Sequence, residues 1–442
     1  MRLALVFLLV AFAGAPRAQT AGAPLDIQPA DAFPRDAAPG AAVRPDADAL
    51  GALLDGRLSE RATASLLTMA PGQEVYSRFG HSALRIQDPA SGLDRAYNFG
   101  TFDFEQPGFL VRFMRGRLDY ILDTAPTAAE FDKYAFLQRP VVEQRLVLRP
   151  ETVQALYDLL EENARPENRA YRYDFVRDNC STRLLDALDA ALVQTGRPAV
   201  RLAETPPTTF RALLAPYIDG APLLELGIDL GLAMPIDAPA TARQRTFLPD
   251  ELAAALDRAT VAGRPLVAMR DTVLRVPGYV PPRPGSDWPA GVAFAVLLLA
   301  LVVTVLRGRG RERPARAFDV ALLAAAGLAG TILMLLWTAT DHTVTQRNWN
   351  VAWAWPPHLV AAVWLARRPA PGRLAAPLRA YFAVAALGTA ALVAGWALVP
   401  QTLPLAALPL AAALALRAAD RAARPELRAA APPLTPVPTP SA

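Results

Sequence analysis

Ser82-Ala83-Leu84-Arg85-Ile86, Asp88-Pro89-Ala90-Ser91-Gly92 and Arg95-Ala96-Tyr97-Asn98-Phe99 are the runs that decide the fold of the N-terminal half. The outer two alternate apolar and polar residues with period two, as half-buried strands do, and the middle one is rich in turn formers. Together they predict a β-hairpin with a loop longer than the tightest turns. Glu143 to Leu148 predicts a further strand, and Glu151 to Glu162 and Pro249 to Thr260 have helical spacing. Sheet and helices in this mixture predict an α+β domain.

That domain is expected to be exported. Met1-Arg2 followed by the apolar run Leu3 to Ala13 has the form of a secretory signal, with Ala18 as the cleavage position. Residues 19–58, rich in Ala, Pro, Asp and Gly without periodicity, predict a flexible lead-in. Cys180 is the single cysteine, so an intrachain disulfide is excluded and the domain relies on its packed core.

The C-terminal part has another character. Trp288 to Leu306 is an uncharged run close to the about 20 apolar residues that cross a bilayer. Val320 to Trp337, Val351 to Ala366, Tyr381 to Val399 and Leu403 to Leu416 predict four more spans, the third and fifth short and proline-containing. With the N-terminal domain outside, the inner loops hold Arg307, Arg309, Arg311, Arg313 and Arg316, then Arg367, Arg368, Arg373 and Arg379, and the tail holds Arg417, Arg421, Arg424 and Arg428. The outer loops hold Arg347 alone, which is the positive-inside asymmetry. The spans read as nearly free of ionisable residues, which argues against an ion or proton pathway. The expected organisation is therefore signal peptide 1–18, linker 19–58, exported domain 59–285, an all-α transmembrane bundle of about five helices over 286–418, and a disordered cytoplasmic tail 419–442.

Composition bounds the function. Hydrophobic residues make 53% of the 442 and charged ones 19%, an average over two dissimilar parts. The net charge of +4 comes from a chain whose basic residues are nearly all arginine, Lys133 being the one lysine. No basic stripe suggests nucleic-acid binding. With one cysteine and three histidines, a zinc site lacks ligands, and no cofactor is indicated.

Two residues could carry chemistry in the exported domain. Cys180 follows Asp178-Asn179 and precedes the helical stripe Leu184, Leu185 and Leu188, so Asp178 or Asn179 would cap a helix with the thiol in its first turn. Free N–H groups and the helix dipole there would favour thiolate and could hold an oxyanion. A small buried residue of an amphipathic helix is an equally good local reading. His81 is the only histidine of the domain and opens the first hairpin strand. One thiol and one imidazole in one compartment are the minimum for a thiolate–imidazole pair. Folding the hairpin about its turn places Asn98 roughly opposite His81, making Asn98 the candidate for orienting the imidazole, with Asp103 in reserve. In the membrane part, the outer loop from Asp341 to Asn350 is dense in hydrogen-bonding groups. Asp341, His342, Asn348 and Asn350 are its candidates for binding a lipid headgroup or acceptor. An ordinary polar connector is the plainer alternative, and for His358, within a span, a structural role is at least as good a reading.

The runs Tyr76-Ser77-Arg78-Phe79-Gly80-His81-Ser82, Tyr97-Asn98-Phe99-Gly100, Asp178-Asn179-Cys180-Ser181-Thr182-Arg183 and Asp341-His342 through Asn348-Trp349-Asn350 resemble the Lnb-type proteins, which carry an N-terminal periplasmic domain. The order of histidine strand before cysteine helix is similar to circularly permuted papain-like enzymes such as the lecithin retinol acyltransferases. The resemblance implies a membrane-anchored enzyme of the bacterial inner membrane that passes an acyl chain from a phospholipid to the N-terminal amine of a diacylated lipoprotein, with Cys180 as nucleophile and His81 as base and acid. A membrane-tethered cysteine hydrolase acting on peptide, peptidoglycan or lipid is the rival enzyme. A non-enzymatic envelope assembly subunit is the rival from another class.

Overall fold

The computed structural model describes residues 46–102, 107–218, 222–281, 288–367, 372–424 and 426–427. The signal peptide, Asp103 and most of the expected linker and tail lie outside them. The chain divides into two compact units: Met1–Asp219 with Pro239–Arg283, and Gly220–Ala238 with Pro284–Ala442. The last break, after Arg283, falls beside the boundary read from the sequence, but Gly220–Ala238 belongs to the second unit rather than the first. Its helix Pro222–Gly231 has apolar residues on most positions, and Leu230 packs on the helical core.

In the first unit a short helix α1 (Ala47–Leu54) precedes the sheet. Asp46 caps it by accepting from the Asp48 N–H. The sequence assigned this stretch to a flexible linker, and its run of good helix formers behind a capping Asp explains the difference. Strands β1 (Thr63–Met69), β2 (His81–Asp88), β3 (Leu93–Thr101) and β4 (Asp119–Pro126) follow, then helix α2 (Thr127–Phe136), β5 (Val141–Leu146), α3 (Pro150–Ala164), β6 (Ala170–Arg172), α4 (Cys180–Gln194), α5 (Pro249–Asp257) and β7 (Val267–Leu274). The seven strands form one antiparallel sheet in the order β6-β4-β3-β2-β1-β5-β7.

Alternation along the strands covers both faces of the sheet. Leu66, Leu84, Ile86, Tyr97 and Phe99 pack with Leu156 and Leu160 of α3 and Leu184, Leu185 and Leu188 of α4. Leu67, Met69, Ala83 and Ala96 pack on the other side with Tyr134 of α2. Burying this apolar surface, at roughly 25 cal/mol per Å², holds the layers together.

The second unit is helical: α6 (Trp288–Gly308), α7 (Glu312–Thr338), α8 (His358–Arg367), α9 (Ala376–Ala394) and α10 (Leu408–Ala423). Among the described residues α6, α7 and α9 are long and apolar enough to cross a membrane. The third and fifth expected spans are broken. A 3₁₀ turn over Trp349–Ala352 and Pro356-Pro357 precede α8, and a 3₁₀ turn over Leu405–Ala407 and Pro409 begin α10. Proline supplies no N–H to the ladder, so helices start afresh after it. A Cβ at Gly330 of α7 would collide with the Ala354 carbonyl, so only glycine lets α7 lie against that bend.

Buried charge gathers just beyond the ends of the expected spans. Asp319 in α7 accepts from Arg417 Nε and Nη2 at 2.7 and 3.0 Å and from Arg421 Nε at 2.6 Å. Arg307 donates to Glu312 at 2.8 Å and to the Asp420 carboxylate at 2.7 Å, and Arg421 also bonds Glu312. All six side chains are buried. Three guanidinium groups and three carboxylates cancel, so three of the thirteen arginines read as a topology signal, Arg307, Arg417 and Arg421, are neutralised inside the fold.

Candidate active site

The site lies where β2 begins. Gly80, with φ +79°, turns the chain into the strand, and a Cβ there would stand 3.0 Å from the Met69 carbonyl oxygen. Pairing of β2 with β3 runs from Asp88↔Leu93 to Leu84↔Tyr97 and stops. Past that point β3 bulges between Phe99 and Thr101. A bulge ends regular pairing and re-aims side chains.

His81 stands on the part of β2 beyond the pairing. Continuing the register would set His81 against Gly100 and Asn98 against Ala83, so Asn98 is a diagonal neighbour of His81 rather than its direct opposite. His81 Nε2 and Asn98 Oδ1 are 3.3 Å apart. Asn98 is buried, and its Nδ2 has no hydrogen-bond partner among the described residues. The imidazole is shielded from water even though the residue keeps some surface. That desolvation, followed by the nearby Lys133 and Arg139 charges, pushes its pKa down to about 3, against the raising effect of Asn98.

Cys180 comes from the other face, as the first residue of α4. Asn179 fixes the helix start with both ends of its amide. Oδ1 accepts from the Ser181 and Thr182 N–H groups at 2.9 and 3.0 Å, and Nδ2 donates to the carbonyls of Phe175 and Phe247 at 2.8 and 2.7 Å. Thr182 Oγ1 accepts from the Asn179 N–H at 2.8 Å, completing a capping box. Ser82 Oγ and Ser181 Oγ are 3.2 Å apart, tying the helix to β2. The Cys180 sulfur lies 3.8 Å from Ser181 Oγ, so this serine pair sets the thiol beside Ser82, one residue after His81. The thiol thus enters the opening where β2 and β3 part, and it keeps 9% of its surface.

The electrostatics differ from the sequence expectation. Burial raises the Cys180 pKa despite hydrogen bonds from Ser82, Ser181 and its own N–H. The resting pair is a neutral thiol and a neutral imidazole, because desolvation outweighs the helix terminus. The cap also takes the Ser181 and Thr182 N–H groups, which leaves Cys180's own N–H as the first-turn donor for an oxyanion.

Sequence reasoning missed the aromatic wall. Tyr120 and Tyr173 stack with centroids 4.1 Å apart, and Phe99 meets Tyr171 edge-on at 5.9 Å. Arg183, bound to Asp178 at 2.6 Å, lies 3.7 Å over the Tyr171 ring. The signal was the alternation of Tyr171 and Tyr173 just ahead of the cysteine helix. A solvent-open cavity of about 490 Å³ lined by Phe99, Arg177, Asp178 and Arg183 adjoins this wall, and Cys180 is not part of its lining.

In the second unit, Asn348 Nδ2 donates to the Leu230 carbonyl at 2.6 Å, Asn350 Nδ2 to the same carbonyl at 3.2 Å, and Trp353 Nε1 to Asn350 Oδ1 at 3.0 Å. Both asparagines are buried, so the substrate-binding expectation for them gives way to a structural role: they clamp Leu230–Gly231 inside the unit. Asp341 is exposed and His342 half-buried on the same loop. His358 is held on both ring nitrogens, donating from Nε2 to the Trp353 carbonyl and accepting on Nδ1 from the Tyr381 hydroxyl. Among the described residues no cluster of His, Cys, Asp and Glu could hold a metal ion.

An α+β domain with Cys180, His81 and Asn98 at one end of its sheet, followed by a helical unit with membrane-length helices, defines a membrane protein of two-part build. The chain belongs to the Lnb-type family: residues 58–216 match the Lnb N-terminal periplasmic domain and residues 285–423 the Lnb transmembrane domain. The first unit is therefore periplasmic and the second lies in a membrane. No curated protein and no solved structure matches the chain.

Proposed function

We propose that the protein is a thiol acyltransferase of the bacterial inner membrane, moving an acyl chain from a phospholipid to the N-terminal amine of a diacylated lipoprotein through a thioester on Cys180. The observation that carries this reading is the His81–Asn98 hydrogen bond beside a thiol that is tied through Ser181 to Ser82, the residue after His81.

Asn98 Oδ1 accepts the Nε2–H of His81 and so leaves Nδ1 bare as the base. A neutral pair in a dry site is weak until substrate arrives. As the sulfur attacks the ester carbonyl, His81 takes the thiol proton, and each new charge stabilises the other. Cys180's N–H holds the oxyanion. Collapse breaks the ester C–O bond, and the lysophospholipid oxygen leaves with the proton from His81. The lipoprotein amine then attacks the thioester, giving its proton through His81 to the departing sulfur. No cofactor enters. Aminolysis prevails over hydrolysis only where water is excluded, which suits a domain tethered to a membrane.

The test is mass spectrometry of lipoprotein N-termini in a deletion strain that lacks other N-acyltransferases. Complementation with the intact gene should restore the third acyl chain and the Cys180→Ala gene should not. Equal N-acylation by both genes rejects the thioester route, and muropeptide cleavage without N-acylation would make the protein a hydrolase.

A further inference from the structure

A second buried polar group borders the thiol without any assigned work. Tyr171, on β6, is 8% exposed, and its hydroxyl has no hydrogen-bond partner among the described residues. Buried hydroxyls are normally paired, and one left alone forfeits stability, so its persistence calls for a reason. Its surroundings point one way. Gly100 has φ +92°, and a Cβ built there would stand 3.4 Å from the Cys180 Cβ, 3.9 Å from the Tyr171 hydroxyl oxygen and 3.9 Å from Tyr173 Cε2. The bare backbone at the β3 bulge therefore keeps open a space that the thiol and the Tyr171 phenol share. Burial raises the Tyr171 pKa, so the group remains a protonated donor. The Arg183 guanidinium, 3.7 Å over the ring, draws electron density from it and sharpens the O–H as a donor.

We propose that Tyr171 is the second hydrogen-bond donor to the oxyanion formed on Cys180, alongside Cys180's own N–H. The inference rests on the acyl-transfer reading and specifies its transition state. When the Cys180 sulfur bonds to the carbonyl carbon, the carbonyl π pair moves onto oxygen, and the Tyr171 O–H donates to that oxygen. The phenol keeps its proton throughout, since the transferred proton travels by way of His81. When the tetrahedral adduct collapses, the pair returns to the carbonyl and the Tyr171 hydroxyl is again without a partner. The group is thus satisfied only in the transition state, the condition under which a hydrogen bond accelerates a reaction.

The experiment compares the full-length protein in nanodiscs with Tyr171→Phe and Cys180→Ala. A long-chain fatty aldehyde is the probe, because its hemithioacetal with Cys180 places an oxygen where the oxyanion would be. Removing one such donor costs about 100-fold in turnover. Tyr171→Phe should therefore transfer acyl chains from vesicle phospholipid about 100-fold more slowly, with KM little changed. It should bind the aldehyde at least about tenfold more weakly, and its Tm should be equal to or above that of the parent protein. A Tyr171 that served only for packing would leave transfer and aldehyde affinity intact in the Phe variant, and that result overturns the proposal. Aldehyde binding that survives in Cys180→Ala with full affinity overturns the acyl-transfer reading itself, and the proposal with it.

Discussion

Both units place polar side chains out of water, and each leaves some buried atoms without a partner among the described residues, Arg421 Nη2 and Trp396 Nε1 in the helical unit. Those of the periplasmic unit include two beside the thiol. In the helical unit Asp319 receives three charged hydrogen bonds from Arg417 and Arg421, and Arg307 is shared between Glu312 and Asp420. Asn348, Asn350 and His358 are similarly engaged at both ends of their side chains. At the sheet end of the periplasmic unit, Asn98 Nδ2 and the Tyr171 hydroxyl have no partner, and the thiol and imidazole are both held neutral. A polar group whose bonds are complete supports the fold. One left incomplete next to a nucleophile is poised for a partner the fold does not supply.

This contrast can be broken at either end. The largest effect is expected from Asp319→Ala, which leaves three buried guanidinium groups to share two carboxylates. It should destabilise the helical unit by about 3–5 kcal/mol, read as a drop in thermal unfolding temperature in nanodiscs. A variant as stable as the parent would show that the six charges are not mutually dependent. Next is Asn98→Ala. Losing the group that orients His81 should lower the rate of Cys180 acylation on the order of 100-fold while the periplasmic unit stays folded. An unchanged rate would remove Asn98 from the site. The smallest effect is a matter of pH. With the thiol pKa raised by burial and His81 near 3, iodoacetamide should alkylate Cys180 at pH 7.5 more slowly than a model thiol. The rate should climb only at a higher pH than for a model thiol, with no inflection near 6.5, because the imidazole stays neutral down to about pH 3. A plateau already established at pH 6 would mean a preformed thiolate–imidazolium pair, contrary to the electrostatics described above.

The last prediction also shows where sequence reasoning stopped. Strand alternation and the Asp88–Gly92 turn gave the hairpin, and that hairpin gave Asn98. The helix cap gave the position of Cys180, with Asn179 proving to be the capping residue of the two candidates. The charge state of the thiol was out of reach, because the helix terminus is local and visible in sequence while the desolvation opposing it comes from residues far along the chain. Tyr171 was hidden for the same reason, since β6 reaches the site only by pairing with β4. In the bundle, nothing local marks Asp319 as part of a network, because its partners Arg417 and Arg421 lie about a hundred residues away. Asn348 and Asn350 looked like binding groups because a loop dense in amides reads alike whether it faces a ligand or the backbone of Leu230.

The arginine–carboxylate network has a consequence for biogenesis. Asp319 leaves the ribosome long before Arg417 and Arg421, so α7 must wait in or beside the translocon with an uncompensated carboxylate until α10 arrives. A chain interrupted before Arg417 would lack both arginine partners of that carboxylate. The last helix is therefore a completeness check on the others, and C-terminal truncations should fail at the level of protein abundance before any question of activity arises.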